Sequence, residues 1–155
     1  MKLRKFIATT IREYLNENVN FLIDKIRHTY NKEKIKGTSE LEYSKLIKFG
    51  LKYDDNFIEQ LNDNERKIWL QLQDDDFDNK LITLPIVEIP IQRIYFSQND
   101  ININKIENEN HKKGLPIFIK KNGKIYIISG NHRLFNQLIK KGKDIISGYI
   151  KNFDN

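Results

Sequence analysis

The sequence contains no cysteine. That excludes disulfides, thiolate nucleophiles, cysteine-ligated zinc and thiol redox chemistry together. It also agrees with a reducing compartment, so a cytoplasmic location is expected. Proline is scarce, with three residues in 155, and glycine numbers seven. A collagenous or low-complexity chain is therefore excluded as well. No stretch approaches the roughly 20 apolar residues that cross a bilayer, and no membrane association is expected. The opening Met1–Ala8 is basic then apolar, but Arg12 and Glu13 interrupt it too early for a secretory leader.

What is present is a mixture fit for a globular domain: 39% hydrophobic and 31% charged residues, with a net charge of +6. Such a length can bury a core without staples. The charge is unevenly spread. Residues 1–36 hold nine basic against four acidic residues, residues 37–80 six against eleven, and residues 81–155 twelve against six. An anionic partner is implied. The acidic cluster Asp74, Asp75, Asp76 and Asp78 reads as a solvated hinge between two regions, a helical one over 1–80 and a mixed one over 81–155.

Before the hinge the hydrophobic period is helical. Leu3, Phe6, Ile7, Ile11, Tyr14 and Leu15 form one stripe, and Val19, Leu22, Ile23, Ile26 and Tyr30 resume it. Ser39 with Glu42 has the spacing of a capping box and predicts a third helix stopped by Gly50. A fourth is expected over Asn64–Leu72, capped by Asp63, with Trp69 inward. After the hinge the period is two. Leu84–Ile89, punctuated by Pro85 and Pro90, predicts a short strand, and Ile101–Asn110 a helix weakened by β-branched residues. Pro116–Lys121 and Lys124–Ser129 flank Asn122-Gly123, the signature of a hairpin. Asn131–Lys141 predicts a helix stopped by Gly142, and a last strand runs from about Ile145 to Tyr149. The fold class expected is α+β.

Chemistry concentrates at Ser129-Gly130-Asn131-His132-Arg133, where a strand hands over to a helix. The first amides of a helix lack internal partners and sit at the positive end of its dipole. Glycine lets an anion approach the backbone, arginine can grip phosphate oxygens in two places, and histidine can donate or accept a proton. Gly130, Asn131, His132 and Arg133 are thus candidates for phosphate binding. The same residues also fit a plain helix start in which Asn131 caps and the basic pair is solvated, with Arg133 exposed and dispensable to stability. Glu88 and Asp100 are candidate acid–base or metal-binding carboxylates, against readings as an exposed strand residue and a helix cap. Lys112, Lys113, Lys140 and Lys141 are candidates for a nucleic-acid track, against simple solubility. His111 at a helix end and His28 in the basic helices bring no partner motif.

The run Ile89–Gln98, a helix, Leu115–Ile119, then Lys124–Leu134 and Gly142 resembles the ParB/sulfiredoxin superfamily over about residues 84–150, the ParB-like nuclease domains most of all. The resemblance implies a small mixed sheet with helices whose Gly-x-His-Arg loop holds nucleotide or nucleic-acid phosphates. The resemblance does not settle the reaction, since relatives include nucleotide switches, nucleases, a kinase and sulfiredoxin. The function expected from the residues is phosphodiester or phosphoanhydride hydrolysis, as a nuclease or NTPase, with His132 and Glu88 or Asp100 in catalysis and a divalent ion (Mg or Mn) accompanying the nucleotide. Asn131 stands where sulfiredoxin has its cysteine, so that chemistry is absent. No helix-turn-helix of the partition proteins follows. Gln98 stands where the family's small-molecule kinases place an acid, leaving Asp100 as the substitute. The competing readings are such a kinase and a non-catalytic phage-type structural or binding protein. Residues 5–17 are similar to short helical leaders of phage-related proteins, which would place the chain in a virion and give the N-terminal helices a protein partner.

Overall fold

The structure, a computed structural model, describes residues 21–73, 83–97, 100–107 and 115–154. The predicted first helix, the acidic hinge, His111, Lys112 and Lys113 lie outside them. Residues 21–35 form a helix, α1, that turns Leu22, Ile23, Ile26 and Tyr30 into the core at the spacing the sequence predicts. Glu33 is buried on the same face and is paired with Lys45 at 2.7 Å.

The expected third helix is replaced. Glu40–Glu42 is a strand, β1, and only Ser44–Ile47 is helical, α2. Leu41 is fully buried on β1 opposite Ile101, so burial of a strand pair overrides the capping-box spacing at Ser39 and Glu42. β1 pairs antiparallel with β5, Asp100–Asn102, which shortens the helix expected from Ile101 to α4, Ile103–Glu107. A two-residue strand, β2 (Lys52–Tyr53), follows, so the region before residue 80 is not purely helical. Helix α3 spans Asp63–Leu72. Its cap is Asn62 rather than Asp63, in a reciprocal capping box with Glu65, and Trp69 packs partly buried as expected.

The main sheet has six strands in the order β2-β4-β7-β6-β8-β3, with β3 Ile86–Pro90, β4 Ile94–Phe96, β6 Ile117–Lys121, β7 Lys124–Ser129 and β8 Ile145–Asn152. β6 and β7 are the predicted antiparallel hairpin. Its turn has positive φ at both Asn122 and Gly123, the geometry a tight hairpin needs. Asp154 clamps that turn by accepting both turn amides, at 2.7 and 2.8 Å. β4 runs parallel to β7 and β8 parallel to β6, so the sheet is mixed.

Alternation along the strands divides the core into two layers. Phe118, Ile127 and Ile146 pack with α1, Leu46, Leu134 and Phe135 on one face. Ile117, Ile119, Tyr126 and Ile128 pack with Phe57, Leu61 and Leu72 on the other. Residues on both sides of the acidic segment share these layers. Among the described residues no helix is long and apolar enough to cross a membrane.

Candidate phosphate-binding loop

β7 lies inside the sheet, between β4 and β6, and its C-terminal end delivers Gly130 to helix α5, Asn131–Phe135. The helix continues as a π-helical turn over Asn136–Lys140, within the range the sequence predicts. Gly130 has φ +81°, and a Cβ there would lie 2.9 Å from the Pro116 Cα. Only glycine fits: both the left-handed backbone and the contact with backbone atoms oppose a side chain. Gly130, not Asn131, is the N-cap residue, and no side chain caps the helix start.

The three residues that follow are each tied to a different part of the fold. Asn131 is buried, and its Oδ1 accepts the Tyr43 hydroxyl at 3.2 Å. His132 Nε2 accepts the Asn102 amide at 3.1 Å. That bond uses the lone pair of Nε2 and places the ring proton of neutral His132 on Nδ1, so Nε2 is not open to act as a general base. Arg133 Nη1 donates to the Leu115 carbonyl at 2.9 Å and is part-buried, which corrects the expectation of an exposed arginine. The loop is therefore held rigidly from β1–α2, from β5–α4 and from the entry to β6. Tyr43, Asn102, Leu115 and Pro116 belong to the site and were not legible in the motif.

Other candidates are dispersed. Asp100 lies on β5 opposite Glu42, two residues before Asn102, which puts its backbone near His132. Glu88 is exposed on β3 opposite Ser147. Three strand spacings separate β3 from β7, about 14 Å, so Glu88 does not converge on the loop. Lys140 and Lys141 are exposed at the far end of the helix, about 15 Å from Gly130 along its axis. There they favour the negative end of the dipole, and the Lys140 ammonium sits 5.8 Å from the Tyr30 ring centroid. Among the described residues no three His, Asp or Glu side chains gather as a metal site.

No family model, curated protein or solved structure matches the chain.

A second polar cluster occupies the opposite end of β7. Asp54 accepts the Asn56 amide at 2.9 Å and the Tyr126 hydroxyl at 2.8 Å, with Lys124 at 3.6 Å. The Asn56 amide foremost, then the Tyr126 hydroxyl, hold the Asp54 carboxyl below the usual carboxylate range. Burial, then Asp54, push the Tyr126 phenol up to about 12. A lowered folded pKa stabilises the protein above the carboxyl's unfolded value, and that contribution is lost as pH falls through the folded value. Thermal unfolding followed from pH 6 down to pH 2 is thus expected to show a shallower acid loss for Asp54→Asn than for the parent. Parallel profiles would remove Asp54 from the acid response.

Proposed function

We propose that the Gly130–Arg133 loop binds a phosphate group of a nucleotide or nucleic acid, and that the chain is a phosphate-binding domain of the ParB/sulfiredoxin type. The observation that carries this reading is the helix start itself: a glycine in the left-handed region with no capping side chain, followed one turn later by an anchored guanidinium. An anion there meets the positive end of the helix and a fixed cationic donor without reorganising the loop. Cleavage of a phosphodiester or phosphoanhydride would need Asp100 as the base. The tautomer of His132 favours a second reading, binding without turnover.

The test is a thermal-shift and affinity panel of nucleotides and short DNA, with and without magnesium or manganese. Occupancy at about 100 times Kd is expected to stabilise the protein by about 2.7 kcal/mol. Arg133→Ala is expected to weaken binding tenfold or more, and to cost about 1.5–3 kcal/mol of stability because a charged donor leaves the Leu115 carbonyl. His132→Ala should retain most of the affinity. Unchanged Kd in Arg133→Ala, measured well below its Tm, makes the arginine a fold element only and ends the proposal. Nucleotide turnover in the parent that vanishes in an Asp100→Asn variant supports catalysis; binding without turnover supports the second reading.

A further inference from the structure

Away from the Gly130 loop, aromatic rings and ammonium groups alternate on the surface formed by α1 and the turn after α2. The Lys25 ammonium stands 5.5 Å from the Phe21 ring centroid and 6.0 Å from that of Phe49. The Lys48 ammonium stands 5.1 Å from the Phe49 ring. Phe21 is 52% exposed, whereas its neighbours Leu22 and Ile23 are buried in the core. Phe49 is partly buried against the core, which fixes the ring, and Lys48 is exposed. Residues 21–50 hold seven lysines and arginines against four acidic residues; Glu33 and Lys45 neutralise each other, which leaves six against three.

We infer that Phe21, Lys25, Lys48 and Phe49 form a docking surface for single-stranded nucleic acid. Each cation–π contact is weak in water and exchangeable. A nucleobase that stacks on the face of Phe21 or Phe49 takes the place of the ammonium, and the displaced ammonium meets the phosphate that arrives with the base. The ring-cation-ring-cation order thus supplies both contacts that an unpaired strand needs, a π-face for the base and a positive charge for the backbone. Duplex hides its base faces by internal stacking and offers only phosphates, so it is the weaker ligand. Stacking accepts any base, and the binding is expected to be tolerant of sequence and strongly salt-dependent. The inference stands on residues separate from the phosphate loop.

The experiment is fluorescence anisotropy with a labelled oligothymidine of about twenty nucleotides, competed by unlabelled duplex of equal length and by phosphatidylserine vesicles. The parent is expected to bind the oligonucleotide and to lose it more readily to unlabelled single strand than to duplex or vesicles. Phe21→Ala is expected to weaken binding by about five- to a hundredfold. Its Tm should match the parent, because the ring is half in solvent. Phe21→Leu should lose nearly as much, since leucine keeps apolar area but no π-face, and Phe21→Trp should restore affinity. Lys25→Ala with Lys48→Ala should flatten the salt dependence. Equal binding by the leucine and phenylalanine forms, or preferential competition by vesicles, overturns the inference. Oligonucleotide binding that depends on Arg133 and not on Phe21 assigns the strand to the loop instead, and leaves the loop proposal standing.

Discussion

Gly148→Ala is expected to destabilise the protein by about 3 kcal/mol, at the top of the usual range for overpacking. Gly148 is buried in β8, opposite Val87 of β3. A Cβ there would drive into the Phe118 ring and lie 2.7 Å from the Pro116 carbonyl oxygen. Neither neighbour can yield cheaply. Phe118 is fully buried in the core, and the Pro116 carbonyl already accepts the Tyr149 amide at 2.9 Å. For a chain of this size the loss corresponds to a fall in Tm of about 6–12 °C. Phe118→Leu in the same chain should recover part of it, with a coupling of about 1 kcal/mol or more between the two sites. A Tm for Gly148→Ala within a degree of the parent would mean that β6 and β8 do not meet in this register. Pro116 makes the result bear on the candidate site, because its Cα lies 2.9 Å from where a Cβ on Gly130 would stand.

The sequence announces what is local and hides what is paired at a distance. The β6–β7 hairpin is legible because Asn122-Gly123 can close it with no outside help, and α1 because its stripe repeats along one helix. β2 and β4 have two and three residues, too few to display a period of two. Ser39 and Glu42 carry the letters of a helix start, yet their segment gains more by burying Leu41 against β5. The candidate site divides in the same way. Gly130, Asn131, His132 and Arg133 are consecutive and can be read together. Their partners Tyr43, Asn102 and Leu115 stand 88, 30 and 18 residues away, and only the folded sheet brings them in. Glu88 illustrates the opposite error: adjacency to a strand suggests convergence, whereas strand order places it three strands off.

Tyr43 is the residue whose truncation should damage both fold and loop. It is 1% exposed, and its ring meets Phe96 at 4.9 Å and Phe135 at 5.9 Å between centroids, while its hydroxyl holds Asn131. Tyr43→Ala removes a large aromatic from the centre of the main core layer, and a loss of about 3–5 kcal/mol is expected, or about 6–20 °C in Tm. Tyr43→Phe separates the two roles. The ring stays, the cavity does not form, and the bond to Asn131 is lost, at a cost of about 0.5–1.5 kcal/mol. If that bond sets the loop, Tyr43→Phe should also weaken phosphate-ligand binding although Tyr43 is buried, and its effect should not add to that of Asn131→Ala. A double-mutant cycle measured by chemical denaturation reads the coupling directly, with about 1 kcal/mol expected. Strict additivity would show that the hydroxyl and Asn131 act independently. Full ligand affinity in Tyr43→Phe would confine Tyr43 to the core, and the loop would then depend on Asn102 and Leu115 for its shape.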